Sequence, residues 1–333
     1  MAAIPEQQGC TPEAFGQIAR SCRPVVLRQL VTHWPLVEAA SRTPRAACDY
    51  LLQFDAGRTL DAFFGPPEIA GKYFYDESLT GFNFERRTLR LADALGALLK
   101  GLDAPGLPSV YAGSLPVDEY LPGFARDHTM PLVPPSVGAR LWLGHASNVA
   151  VHYDAMDNIA CVVAGRRRFT LYPPEATAKL YVGPIDHTMA GQPVSLAASS
   201  PPDPARYPLF EEVRDTALLA DLEPGDALYL PKLWWHGIEA SAPFNGLVNY
   251  WWDGFRAGPD APYTALLLAM ITIAERPAAE RAAWKAYFDH YVFRSGGHPL
   301  RHLPPETHGI LGPLKPDNYG RIRAWVMHLL RGG

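Results

Sequence analysis

A chain of 333 residues that is 48% hydrophobic can bury one large core or two modest ones. Its formal net charge of −4, with no long run of Lys and Arg, argues against a nucleic-acid footprint. The 33 prolines favour turns and short strands over long helices. The opening MAAIPEQQGC has no basic stretch followed by an apolar one, and no segment stays apolar for the width of a bilayer. Neither a secretory leader nor a membrane span is therefore expected. Cys10, Cys22, Cys48 and Cys161 show no paired metal spacing and read as reduced thiols of a cytoplasmic protein.

In chain order, Thr11, Pro12 and Glu13 form a helix start: a capping hydroxyl, a proline in the first turn and an acid at the positive end. Arg23–Leu30 reads as a strand. HWPLVEAA and RAACDYLLQF read as helices, and RTLRLADALGALLK carries apolar residues at helical spacing from Leu89 to Leu99. A Pro/Gly-rich link is expected near Asp103–Pro108. From Ser109 to Trp252 short apolar runs alternate with turns, the pattern of an antiparallel barrel or jelly roll. Tyr181–Asp221 reads as a long irregular insertion. After Asp253 the pattern turns helical, with Leu266, Leu267, Met270 and Ile273 as one apolar face. The expected division is a catalytic domain over 1–255 and a helical segment over 256–333.

Alternate residues of a strand share a face, so His152 and Asp154 project together. An imidazole and a carboxylate are two-thirds of the facial triad that holds non-haem iron with open positions for co-substrate and oxygen. His236, in LPKLWWHGIE, is the candidate for the third ligand. Taken alone, a His-x-Asp triplet also occurs as an incidental surface pair, and a single His as a satisfied core residue. In RRRFTLY, alternation places Arg167 with Phe169 and Leu171 on an apolar face, and Arg166 and Arg168 on the other. A buried arginine needs an anionic partner, which a bound carboxylate would supply. The competing reading is three solvated arginines at a strand end.

The stretches HYDAMDNIACVVAGRRRFTLYPPE, LEPGDALYLPKLWWHGIEA, VNYWW and RPVVLRQLVTHWPLVEAA together resemble the Jumonji-C (cupin-8) family of Fe(II)- and 2-oxoglutarate-dependent oxygenases. The likeness is to its branch of hypoxia-inducible-factor asparaginyl hydroxylases and bacterial cupin-like relatives, and spans Thr11–Trp252. It implies a mainly β, α+β fold: a double-stranded β-helix (jelly roll, cupin) core with N-terminal α/β elements and a C-terminal helical bundle. It implies His152, Asp154 and His236 as iron ligands. It sets Arg167 where the family carries a lysine for the distal carboxylate of 2-oxoglutarate, with Tyr111 as a hydroxyl donor to the same group. It implies Asn158 and Asn249 as residues lining the pocket. Tyr111 also reads as a core tyrosine, and either Asn as a strand-end cap. Two departures stand out. Arginine replaces lysine, and Val149 stands where a threonine often binds the co-substrate.

The resemblance implies an Fe(II)- and 2-oxoglutarate-dependent hydroxylase that consumes molecular oxygen. A non-oxygenase metal cupin and a catalytically silent cupin-fold binding protein are the alternatives. Trp234, Trp235, Tyr250 and Trp251 are candidates for walling off the site, or plain core. The expected substrate is a protein or peptide side chain, with a small molecule open and a modified tRNA base less suited to the acidic balance. The apolar faces of the C-terminal helices, including Trp284, Tyr287, Tyr291, Trp325 and Leu329, point to a homodimer formed through them.

Overall fold

The computed structural model describes residues 2–76, 78–104, 106–189, 191–199, 201, 203–255 and 260–332. Its contacts divide the chain into two compact units, Met1–Gly254 and Phe255–Gly333. The expected boundary at 255/256 borders residues 256–259, which lie outside the described residues, as do 105, 190, 200 and 202 within the expected link and insertion.

The first unit opens with β1 (Ala2–Ala3), β2 (Glu6–Gln8), α1 (Pro12–Ser21), β3 (Val25–Arg28), α2 (Pro35–Arg42) and α3 (Pro44–Leu52). Thr11 caps α1 by accepting the Ala14 N–H at 3.3 Å, and Thr43 caps α3 by accepting that of Ala46 at 3.0 Å. Each of the three helices has proline in its first turn, where a missing N–H costs nothing. There follow β4 (Thr59–Gly65), β5 (Lys72–Tyr73), β6 (Glu85–Arg90), α4 (Leu91–Asp103), β7 (Ser109–Pro116), α5 (Val117–Tyr120), β8 (Ala139–Gly144), β9 (Ser147–Tyr153), β10 (Asp157–Ala164) and β11 (Arg167–Tyr172). The unit closes with α6 (Leu196–Ser199), α7 (Glu211–Arg214), β12 (Leu218–Leu222), β13 (Ala227–Leu230), β14 (Trp235–Ala240) and β15 (Asn245–Trp252).

The strands form a six-stranded sheet, β1-β12-β11-β14-β9-β5, and a nine-stranded sheet, β2-β3-β13-β10-β15-β8-β7-β4-β6. Neighbouring strands of the barrel core run antiparallel. One cluster joins residues of both sheets: Ala160, Val162, Leu228 and Leu247 from the larger, Phe169, Leu171, Ala220 and Leu222 from the smaller. The cluster fills the space between two facing sheets, and the architecture is an α+β jelly roll. The outer face of the nine-stranded sheet, with Ile159, Cys161 and Val248, is covered by Leu36, Leu51, Leu91, Leu95 and Leu98 of the helices. The outer face of the six-stranded sheet, with Tyr172 and Trp235, is covered by Leu180, Phe210 and Val213 of the insertion.

Two segments differ from the sequence reading. Glu85–Arg90 is an exposed edge strand paired with β4, and the helix starts only at Leu91, where the buried 3.6-residue pattern Leu91, Ala94, Leu95, Leu98 begins. The insertion is shorter than expected, because Leu218–Leu222 joins β11 in the sheet.

The second unit contains α8 (Pro262–Ile273), α9 (Ala278–Tyr291) and α10 (Pro316–Leu330). The apolar residues of α8 circle the helix instead of forming one face, and none is buried. Among the described residues no helix is long and apolar enough to cross a membrane.

Candidate metal and co-substrate site

β14 and β9 pair antiparallel with His236 directly opposite His152, and Asp154 follows β9 by one residue. The two imidazole rings lie 4.3 Å apart between centroids. The His236 Nε2 lies 3.9 Å from a carboxylate oxygen of Asp154. One ligand atom from each of the three residues falls within 4.8 Å of the others. Strand pairing thus brings together residues that are 84 positions apart in the chain.

The hydrogen bonds of these rings separate them from ordinary core histidines. In His128, Nδ1 meets the Phe124 carbonyl at 2.8 Å and Nε2 accepts the Leu36 N–H at 3.2 Å. In His145, Nδ1 accepts the Val110 N–H at 3.0 Å and Nε2 meets the Leu98 carbonyl at 2.9 Å. Both are saturated by backbone. Among the described residues His152 and His236 instead use only Nδ1, which donates to the carbonyls of Ala150 at 2.8 Å and Trp234 at 3.0 Å. That bond fixes the tautomer and leaves the Nε2 lone pair for a ligand. Burial first, and the neighbouring His152 second, push His236 down to about 4, against the pull of Asp154. At neutral pH it is the uncharged, coordinating form.

A bulge shapes the surrounding wall. His236 pairs with His152, but Ile238 pairs with Val149, so β9 has one residue more than β14 over this stretch. Simple alternation would set Val149 on the face opposite His152. The extra residue returns it to the same face, and both line one cavity of about 110 Å³. Phe63, Tyr73, Phe84, Tyr111, Trp142 and Trp251 supply most of its aromatic wall. A second opening of about 280 Å³ shares Asp154, Tyr111, Trp142 and Trp251, and adds Asp61, Gly113, Ser114 and Met156.

Arg167 is 3% exposed and lies on the inward face with Phe169 and Leu171. Its side chain makes no hydrogen bond or ion pair among the described residues, and its Nε is buried without a partner. Burial holds its pKa below the usual arginine value, with the Tyr111 hydroxyl the one group that works in the other direction. Burial likewise pushes Tyr111 up, opposed by Arg167. The flanking arginines are exposed and satisfied: Arg166 lies 3.1 Å from Glu223 and Arg168 2.7 Å from Asp221.

Asn158 and Asn249 are both buried and joined, Asn249 Nδ2 donating to Asn158 Oδ1 at 3.1 Å. Asn249 in turn accepts the Trp142 indole N–H at 2.6 Å. The cavity-lining residue of this chain is Trp142, and the two asparagines stand behind it. Of the four aromatics weighed as walls, only Trp251 lines the cavity. Trp235 belongs to the outer cluster, Tyr250 to the helix-covered one, and Trp234 donates its indole N–H to the Cys22 carbonyl at 3.1 Å. The two that face outward do so by alternation, one position from His236 and from Trp251. Sequence reasoning missed Trp142, Phe63, Tyr73 and Phe84. Trp142 was accessible through the alternation of RLWLG, whereas Phe63 and Tyr73 arrive from N-terminal strands, and Phe84 from the bend before β6, whose partners no local pattern names.

A family model described as a cupin-like domain matches residues 12–258. The chain is 30% identical over 241 residues to Jumonji C domain-containing protein 5 of Drosophila melanogaster, covering 69% of this chain and 55% of that protein. It is 26% identical over 262 residues to the human bifunctional peptidase and (3S)-lysyl hydroxylase JMJD7, covering 69% of this chain and 77% of that protein. Over 117 residues it is 34% identical to tRNA wybutosine-synthesizing protein 5 of Mus musculus, covering 35% of this chain and 31% of that protein. The match spans about half or less of the length of most of these relatives.

Proposed function

The chain belongs to the cupin-like domain family, and on that premise we propose that it is an Fe(II)- and 2-oxoglutarate-dependent oxygenase that hydroxylates a C–H bond. The observation that carries this reading is a buried arginine with no counter-ion among the described residues, fifteen residues after His152, in a barrel whose only described cluster of metal-capable side chains is His152, Asp154 and His236. A structural arginine at 3% exposure would bring its own carboxylate. A site for a dicarboxylate leaves that place open.

His152, Asp154 and His236 would hold the iron: two imidazoles with free Nε2 and one carboxylate suit a divalent first-row metal. When bound, iron supplies the activation of oxygen; the overall change is 2-oxoglutarate, oxygen and R–H to succinate, carbon dioxide and R–OH. Arg167 would grip the distal carboxylate of 2-oxoglutarate, with Tyr111 donating to it. Arginine in place of the family's lysine offers a two-pronged contact instead of a point charge. Val149, in the position of the usual threonine, gives the cavity an apolar wall on the His152 side. Trp142 and Trp251 meet edge to face at 5.6 Å and would exclude water from the reacting centre.

We assign the substrate to protein or peptide side chains, in keeping with the lysyl hydroxylase among the relatives. The test is succinate release with Fe(II), 2-oxoglutarate and oxygen, together with host-lysate peptides scored for the gain of one oxygen atom that requires 2-oxoglutarate. A metal cupin of another class would turn over without oxygen, and a silent binding protein would release no succinate. We also propose that the C-terminal unit forms a two-fold dimer. Support comes from the aromatic and aliphatic side chains its helices leave exposed, among them Trp284, Tyr287, Trp325 and Leu329.

A further inference from the structure

The loop that carries Asp154 and the turn that precedes His236 meet at a buried carboxylate with no part in the chemistry above. Asp157 begins β10 and is 2% exposed. One of its oxygens accepts from the Tyr229 hydroxyl and from the Lys232 backbone N–H, each at 3.3 Å. The other accepts the Gly254 N–H at 3.2 Å and lies 3.3 Å from the Lys232 ammonium. Lys232 also pairs with Asp253. A single side chain therefore gathers the start of β10, the β13–β14 turn and the end of β15.

The same turn reaches two of the metal-capable residues. Leu233 donates its N–H to the Asp154 carbonyl at 2.8 Å. The Trp234 carbonyl orients the His236 ring through Nδ1 at 3.0 Å. Leu233 does this from a left-handed backbone, φ 68°, which L-residues avoid and which persists only where the surroundings over-determine it. Its immediate neighbour in the chain, Lys232, is held at both its N–H and its ammonium by Asp157.

We infer that the Asp157–Lys232 pair is a positioning device for the metal site. By pinning the turn, it fixes the backbone groups that orient Asp154 and His236 toward each other. The inference rests on the reading that His152, Asp154 and His236 hold a divalent metal. The competing role is a plain staple of strand ends, which would alter stability and nothing else.

Co(II) titration of the full chain, followed by visible absorption and checked against chelator competition, separates the two roles. Asp157→Asn and Lys232→Met are compared with Lys232→Arg. A further control is Arg28→Met, which breaks the 2.6 Å ion pair with Asp226 elsewhere in the same unit. Asp157→Asn and Lys232→Met should each weaken Co(II) binding roughly 10–100-fold and shift its ligand-field bands, as outer-sphere partners of metal ligands do. Lys232→Arg should stay within about threefold of wild type, since it keeps the cation. Arg28→Met should lower the melting temperature and leave Co(II) affinity alone. Unchanged affinity in both Asp157→Asn and Lys232→Met overturns the inference. So does an equal loss in Arg28→Met, or failure of both variants to fold, since either outcome makes the pair a staple. If wild type binds no Co(II), or binding survives His152→Ala, the metal reading itself fails, a separate result.

Discussion

The two units treat similar helices differently. In the barrel unit, Leu91, Leu95 and Leu98 of α4 disappear into the core beneath the nine-stranded sheet. In the C-terminal unit, α8 is at least as apolar, yet Leu266 is 52% exposed and Ile271 83%. Burial is set by what a helix finds to lie on, and a sheet face offers a continuous apolar plane. The same contrast holds for charge. The barrel keeps Arg167 buried with no counter-ion among the described residues, whereas cations of the C-terminal helices such as Lys285 and Arg323 pair on the surface, with Asp289 at 2.6 Å and Asp260 at 3.0 Å. An exposed ion pair contributes little, and an unpaired buried cation is tolerated only where something else answers it.

That contrast breaks most visibly at the three ligands. His152→Ala or Asp154→Ala should abolish oxygen-dependent succinate release and sharply weaken iron binding, while the melting curve stays cooperative, because the core clusters lie elsewhere. Full activity and full iron occupancy in His236→Ala would remove the triad assignment.

Next in size is Arg167. A charge-assisted contact to the distal carboxylate contributes about 1.5–3 kcal/mol. Arg167→Ala should therefore weaken 2-oxoglutarate binding roughly ten- to a hundredfold, since about 1.4 kcal/mol is tenfold, with iron affinity nearly unchanged. Arg167→Lys should recover part of the loss. Arg166→Ala and Arg168→Ala, which break only surface pairs, should leave calorimetric titrations with 2-oxoglutarate as they are in wild type.

The metal-free barrel should also weaken in acid. His236 is held at about 4 against an ordinary 6.5, so the folded state binds fewer protons than the unfolded one between these values. Stability from this group is complete above the upper value and is lost as pH falls toward the lower, by on the order of 3 kcal/mol in all. Urea midpoints at several pH values, in wild type and His236→Gln, isolate that share: the variant should show a flatter dependence. An identical slope would mean that His236 is not the buried neutral group described here.

The smallest effect on chemistry, and the most direct probe of the second unit, is assembly. Light scattering of the full chain should give a dimer, and removal of 261–333 should give a monomer or an insoluble chain. A well-behaved full-length monomer at high concentration would leave the exposed helices of the second unit without the partner proposed for them.

Much of the site was legible from local rules. Alternation alone set Arg167 inward and Arg168 outward, because strand geometry has a period of two wherever the ladder is regular; Asp154, one residue past β9, joins His152 at the end of that ladder. Thr11 announced a helix start because capping is a contact over three residues. Helical spacing gave a wrong boundary at Arg87–Arg90, where pairing with β4 outweighed a helix-compatible sequence.

What the sequence by itself determined is the chemistry offered: two imidazoles and a carboxylate in order, an arginine at strand spacing, and aromatics in the strands around them. The tertiary structure decided how they meet. Pairing of β9 with β14 set His236 opposite His152, and the bulge in β9 moved Val149 to the ligand face. β4 and β5 brought Phe63 and Tyr73 to the cavity. Backbone engagement left Nε2 free on two histidines and closed both nitrogens on His128 and His145. The physical reason is range. Side-chain type and alternation are properties of a few consecutive residues, whereas register, bulges and the partner of each ring nitrogen are set by strands far apart in the chain.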